Sequence, residues 1–285
     1  MQGHDLARYS ADVNDSLRLL VTAAHPDDET LGFGGTLVRS ARAGVETYLL
    51  TATRGQRGRY MGHPFGSADH PGPEALGAIR EEELRAAARV LGIRNVTLLD
   101  YVDQHLDRAD PAEATAAIVN EIRRVRPQVI LTFPPDGAYG HPDHIAISQF
   151  TTAAVVAAAD PAFGGAARGA PHTVSKLYYL AWDEATWALY EAAFKRLVAT
   201  VDGVERRATP WPSWAVTTVI ETGDAGTEVW QAVDCHASQT RAYEALRGLD
   251  ADQRAALWRT QPFYRTFSLV NGGRARETDL FEGLR

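Results

Sequence analysis

Hydrophobic and polar positions alternate along this chain with two distinct periods. Short, almost solidly apolar runs rich in β-branched residues lie at Leu17–Ala24, Glu46–Thr53, Asn95–Tyr101 and Gln128–Phe133. They have the pattern of strands buried on both faces. Between them apolar residues recur at helical spacing over about Thr30–Ala43, Pro73–Leu91, Pro111–Val125 and Pro142–Ala159. Gly44 and Gly92 stand where helix C-caps are expected. Strand–helix units in series predict right-handed crossovers and a parallel sheet. The expected fold class is α/β: a three-layer α/β/α sandwich with a mostly parallel, Rossmann-like sheet and an elaborated C-terminal part.

Past residue 160 the pattern loosens. A Gly/Ala-rich stretch, Phe163–Ala170, leads to further strand segments at Thr173–Trp182, Trp214–Glu221 and Phe263–Val270. Helical patterns at about Glu184–Ala199, Gly226–Arg247 and Ala251–Arg259 separate them. One domain over residues 1–285 is expected, with the Rossmann-like core in 1–160 and an extension in 161–285 that shapes a substrate pocket. The stretch Arg54–Gly77 has no clear period and is punctuated by Gly55, Gly58, Gly62, Gly66, Gly72 and Pro64, Pro71 and Pro73. Loops this long inside a compact domain are often functional.

Composition narrows the classes. Apolar residues make up 45% and charged residues 23% of 285, which is ordinary for a globular protein. A net charge of −7 argues against nucleic acid as the main partner. The lone Cys235 excludes a disulfide framework and cysteine-rich zinc sites. No apolar run approaches the ~20 residues of a membrane span, and no charged-then-apolar leader opens the chain, so a cytoplasmic protein is expected.

The chemistry concentrates at two predicted strand ends. The first strand runs into His25-Pro26-Asp27-Asp28-Glu29 and the fourth into Asp136-Gly137-Ala138-Tyr139-Gly140-His141-Pro142-Asp143-His144. Open α/β sheets bind ligands outside the carboxyl ends of their strands. Proline at the first helical position would place His141 near the N-cap, with His144 one turn on. Two histidines and a carboxylate with an open position form a catalytic zinc arrangement. The available set is His25, Asp28, His141 and His144, with Asp27 and Asp143 left for proton chemistry.

These motifs resemble those of the PIG-L/LmbE-like family of zinc-dependent N-acetylglucosaminyl deacetylases, whose hallmarks stand without substitution at His25–Glu29 and His141–His144. The resemblance implies that His25, Asp28 and His144 bind the metal and that Asp27 is the general base. It implies that His141 is the protonated group facing the substrate, held by Asp143, and that Tyr139 is the family's tyrosine. The implied reaction is hydrolysis of the acetamide of an N-acetylglucosamine-type sugar or conjugate by a metal-activated water. Such an ion lowers the pKa of water from about 15.7 toward about 7. The cofactor is expected to be Zn2+, with Fe2+ or Co2+ accepted by the same donors. The partner is a small amino-sugar substrate; a homo-oligomer is left open.

Other residues are less specific. By the same resemblance Arg80 reaches sugar hydroxyls, although a solvated Glu/Arg helix face is the alternative. Arg54, just past the second strand, can face the site. Asp103, past the third, could bind hydroxyls as readily as stabilise a turn. His236 resembles a C-terminal His-Ala-x-Gln element, but its place within an expected helix reads as packing. Trp182, Trp211 and Trp214 could line an apolar pocket or fill the core. Two competing functions remain. One is a nucleotide-dependent oxidoreductase using the turn Gly32–Gly35, which lacks the third glycine of a dinucleotide fingerprint. The other is a non-catalytic metal- or sugar-binding protein, for which Asp27 beside a ligand has no purpose.

Overall fold

A computed structural model describes residues 16–285 except 165–166, 195–197, 202–203, 208, 240, 242–243 and 274. Gly165 and Ala166 of the expected linker therefore lie outside the described residues, as do 195–197 and 240 and 242–243 of two expected helices. The first half alternates as the pattern predicts: β1 (Arg18–Ala23), α1 (Asp28–Arg42), β2 (Glu46–Thr53), α2 (Pro73–Leu91) and β3 (Asn95–Tyr101). Then come α3 (Pro111–Val125), β4 (Val129–Thr132), the single irregular turn α4 (Gly137–Gly140) and α5 (Pro142–Ala159). The second half adds β5 (Lys176–Leu180), α6 (Glu184–Phe194), β6 (Ala199–Val201), β7 (Val204–Arg206) and β8 (Thr218–Glu221). It closes with α7 (Gly226–Cys235), α8 (Glu244–Arg247), α9 (Ala251–Leu257) and β9 (Thr260–Ser268).

Seven strands form one sheet in the order β3-β2-β1-β4-β5-β9-β8. Neighbours from β3 to β5 are parallel, and β9 runs antiparallel to both β5 and β8. Residues on both sides of position 160 thus share one sheet. The order reverses between β1 and β4, so the crevice between their carboxyl ends is the topological switch point where such sheets take ligands. β4 is buried along its whole length, which explains its unbroken apolar run.

The pattern misleads in three places, and a fourth feature, the glycines of α1, serves packing. The helix expected over Glu184–Ala199 is described over Glu184–Phe194, and Ala199 belongs instead to the separate hairpin β6–β7. The helix expected over Gly226–Arg247 breaks after Cys235, so His236 ends a helix rather than packing inside one. The strand expected from Trp214 begins only at Thr218, and Trp214 is 83% exposed. Gly32–Gly35 lies inside α1, where a Cβ on Gly35 would stand 2.6 Å from Cβ of Thr222 and one on Gly34 3.3 Å from Val229. These glycines let α1 approach α7 and the segment after β8; they cradle no phosphate.

A buried carboxylate ties the C-terminal part to the sheet. Glu277 accepts hydrogen bonds from Lys176 Nζ (2.8 Å), Tyr178 OH (2.7 Å), Thr218 Oγ1 (2.8 Å) and Asn271 Nδ2 (2.6 Å). Burial pushes its carboxyl pKa up, but the bonds from Lys176 and Tyr178 outweigh this and hold it at about 2 instead of 4.5. A depressed carboxyl pKa contributes stability above the unfolded value, and that stability is lost as pH falls through the folded one. The difference amounts to about 3 kcal/mol. Acid titration of unfolding should therefore show stability falling between pH 4.5 and about 2. Glu277→Gln should lower stability at neutral pH and flatten that limb; an unchanged limb would refute the assignment.

Candidate metal centre and active site

The site begins where β1 ends. Pro26 stops the strand, and Asp27 turns the chain with φ 103°, a left-handed conformation that non-glycine residues seldom adopt. Asp27 is the N-cap of α1, and its carbonyl accepts from the N–H groups of Thr30 (3.1 Å) and Leu31 (3.0 Å). This tight turn aims Asp28 back at the strand end. Its Oδ2 accepts from the N–H groups of Ala24 (3.0 Å) and His25 (2.8 Å).

The segment after β4 comes in from the other side of the crevice. Phe133 stacks on His144 with ring centroids 3.9 Å apart. Positive φ angles at Gly137, Ala138 and Gly140 coil the chain into α4. His141 then caps α5, its Nδ1 accepting from the Asp143 N–H at 3.2 Å, with Pro142 in the first turn as expected. His144 donates from Nδ1 to the Gly137 carbonyl (3.2 Å), which leaves its Nε2 facing His25 Nδ1 and Asp28 Oδ1, each at 3.3 Å.

His25 is oriented in the same way. Its Nε2 donates to Asp143 Oδ2 (3.0 Å) and lies 3.2 Å from Asp103 Oδ1. Each imidazole thus spends one nitrogen on an oxygen acceptor and turns the other toward Asp28, the orientation that outer carboxylates and carbonyls give metal-binding histidines. One donor atom from each of His25, Asp28 and His144 lies within 4.8 Å of the others. A second set, His25, His141 and Asp143, meets the same distance. Its Asp143 Oδ2 is already taken by His25 Nε2 and by the Gln104 N–H at 2.7 Å, so the first set is the better metal site.

The electrostatics favour a cation. Burial opposes charge on His25, yet its bonds to Asp103, Asp143 and Asp28 outweigh this and raise its pKa well above 6.5. Burial likewise pushes Asp28 up, but His144 and His25 outweigh it and hold Asp28 well below the usual carboxylate range. His141 is different: burial first, then His25 and His144, bring it down to about 3. Its Nδ1 also accepts a backbone N–H, a bond that favours the neutral ring. Burial and the charge of Asp28 push the Tyr139 phenol up, so it stays protonated.

A cleft of about 300 Å³ opens above the metal set. Asp27, Asp28, His144 and Tyr139 form its polar side, and Leu31, Phe133, Trp182 and Tyr190 its apolar side. Among the expected tryptophans only Trp182 is in this wall, stacked on Tyr190 at 4.4 Å.

Several residues stand elsewhere than expected. The Asp143 carboxylate holds His25 and accepts from the N–H groups of Gln104 and Leu106, and it is the Asp143 backbone N–H that bonds the His141 ring. Asp103 is 3% exposed, with its carboxylate against His25 Nε2 and the Arg57 N–H. Arg80 is buried, donating to Asp27 Oδ2 at 3.0 Å and to the carbonyls of Gly55 and Pro26; it anchors the carboxylate beside the metal set. Arg54 pairs with Glu81 (2.9 Å) and Asp100 (2.6 Å), outside the cleft wall. Sequence reasoning missed Glu29 and His236 as partners, bonded at 2.8 Å and fully buried. The signal for Asp103 was available: it follows a strand end, as His25 does.

Comparison with known proteins supplies the lineage. The family model described as PIG-L, GlcNAc-PI de-N-acetylase, matches residues 20–155. A 1D-myo-inositol 2-acetamido-2-deoxy-alpha-D-glucopyranoside deacetylase of Kineococcus radiotolerans is 35% identical, covering 94% of this chain and 83% of that protein. N,N'-diacetylchitobiose deacetylase from Pyrococcus horikoshii superposes with TM-score 0.62 at 18% identity, over 88% of this chain and 84% of that one. GalB, a 4-carboxy-2-hydroxymuconate hydratase from Pseudomonas putida KT2440, gives 0.64 at 19%, over 91% and 100%. At such identities the likeness is one of fold, and a fold hosts more than one chemistry. The identity and coverage of the Kineococcus protein go further: the chain belongs to the PIG-L family of de-N-acetylases.

Proposed function

We propose that this protein hydrolyses the acetamide of an N-acetylglucosamine conjugate in a metal-dependent reaction, releasing acetate and a free amine. The observation that carries the reading is the convergence of His25, Asp28 and His144 on one point, with the Asp27 carboxylate in the same cleft. Those three residues would hold the ion, zinc in the first instance, with Fe2+ or Co2+ suited to the same donors. Such an ion supplies Lewis acidity, polarising the acyl oxygen and acidifying a water.

The protein's own groups do the rest. Asp27 takes the proton of the attacking water and returns it to the departing nitrogen. Arg80 anchors that carboxylate at the cleft wall. The protonated Tyr139 phenol, in the same wall, donates to the developing oxyanion. Neutral His141 accepts at Nδ1, so its proton is on Nε2 and it serves as a further donor without carrying charge.

The conjugate to test first is the 2-acetamido-2-deoxy-glucopyranoside of myo-inositol for which the Kineococcus relative is named. Protein stripped with a chelator should release no free amine from it or from other N-acetylglucosamine conjugates, and reloading with zinc should restore release. Unchanged turnover by stripped protein would exclude the metal. Failure of the reloaded protein on every conjugate would exclude the substrate class.

A further inference from the structure

Glu29 and His236 are buried titratable groups with no part in the reaction as derived. Glu29 Oε2 accepts the Asp27 N–H at 2.9 Å, while Oε1 takes Thr30 Oγ1 at 2.6 Å and His236 Nε2 at 2.8 Å. Glu29 is 0% and His236 1% exposed. The ring of His236 makes no hydrogen bond at Nδ1, so its polar contacts are at Nε2, on this side of the site.

We infer that His236 is a positioning residue for Asp27, acting through Glu29. The inference rests on the reading of Asp27 as the base. Backbone held in the left-handed region by a non-glycine residue is strained and persists only when its surroundings over-determine it. At Asp27 the N–H is taken by a side chain, so the orientation of the Glu29 carboxylate sets the turn. Held by Thr30 alone, one residue away, that carboxylate would move with the turn it is meant to fix. His236 pins it from a separate element.

That element is itself anchored. Ser238 donates from its N–H (2.6 Å) and Oγ (2.7 Å) to Glu83 of α2, and its carbonyl accepts from the Met61 N–H at 2.8 Å. Gln239 Nε2 donates to the Arg59 carbonyl at 2.8 Å. The segment 236–239 therefore clasps the catalytic turn, α2 and the long glycine-rich loop together. A merely packed histidine would need no acceptor at the turn.

The test compares wild type, His236→Ala and His236→Gln, whose side-chain amide offers a donor in place of Nε2. For each, kcat, KM, metal content and a crystal structure are measured. His236→Ala should lose ~10–100-fold in kcat, the usual cost of removing an outer partner. KM and metal content should be unchanged, and Asp27 should leave its left-handed conformation. His236→Gln should recover most of the loss with Asp27 back in place. The inference is overturned if kcat of His236→Ala stays within about twofold of wild type. It is equally overturned if both variants lose equally, or if Asp27 keeps its φ without the imidazole. Should His236→Ala not fold, Glu29→Gln carries the same expectations, because its single oxygen cannot serve both the Asp27 N–H and the donors opposite. The crystallographic arm needs no turnover. A wild type inert toward every N-acetyl sugar would remove the deacetylase reading, while the Asp27 conformation in His236→Ala would still decide the brace.

Discussion

Asp27→Asn should reduce kcat by ~10²–10⁴-fold, the range expected when a positioned acid–base group is lost. The change is close to isosteric. The amide oxygen can still accept from Arg80 Nη2, which now meets the carboxylate at 3.0 Å, and the backbone bonds of the turn need no carboxylate. Metal content and thermal stability should stay near wild type, so the loss would fall on chemistry. The amide cannot accept a proton at neutral pH. Steady-state kinetics on an N-acetylglucosamine conjugate, with elemental analysis of the same sample, makes the measurement. Near-full turnover would sink the base assignment and leave Tyr139 and His141 as the groups to test.

Asp28 combines two tasks that paired substitutions separate. Its Oδ1 faces His144, while its Oδ2 satisfies the N–H groups of Ala24 and His25. Asp28→Ala removes both, and each buried N–H left unpaired costs about 1–3 kcal/mol. That variant should lose its metal and also several degrees of Tm. Asp28→Asn keeps an oxygen for the two N–H groups but lacks the charge that a divalent ion wants. It should lose most of the metal while unfolding near the wild-type temperature. Equal metal content in Asp28→Ala and wild type would show that the ion sits elsewhere, with His25, His141 and Asp143 the set to try next.

Where the sequence was readable, the cause was local. The buried strands of the first half announce themselves through unbroken apolar runs, and prolines at 26 and 142 mark where strands or loops give way to helices. The two His/Asp segments lie at strand ends, and the sheet order brings those ends side by side. What escaped depends on approach between distant segments. Asp103 reads as a turn aspartate until β3 is seen two strands from His25. Arg80 reads as a helix face until the loop after β2 folds over it and Gly55 accepts its guanidinium. The break at Cys235 escaped because the residues after it, Ala237, Ser238 and Gln239, are compatible with a helix; their bonds to Arg59, Met61 and Glu83 decide otherwise.

The clasp at 236–239 has a consequence for the order in which the protein becomes competent. His25, Asp28 and His144 all precede residue 160, and so do the strands β3-β2-β1-β4 that carry them. Chains emerge from the ribosome N-terminal end first. The residues of the metal set are therefore made first, whereas the partner of Glu29 arrives only with His236. The brace on the base is thus the last part of the site to be made, some ninety residues after the last member of the metal set.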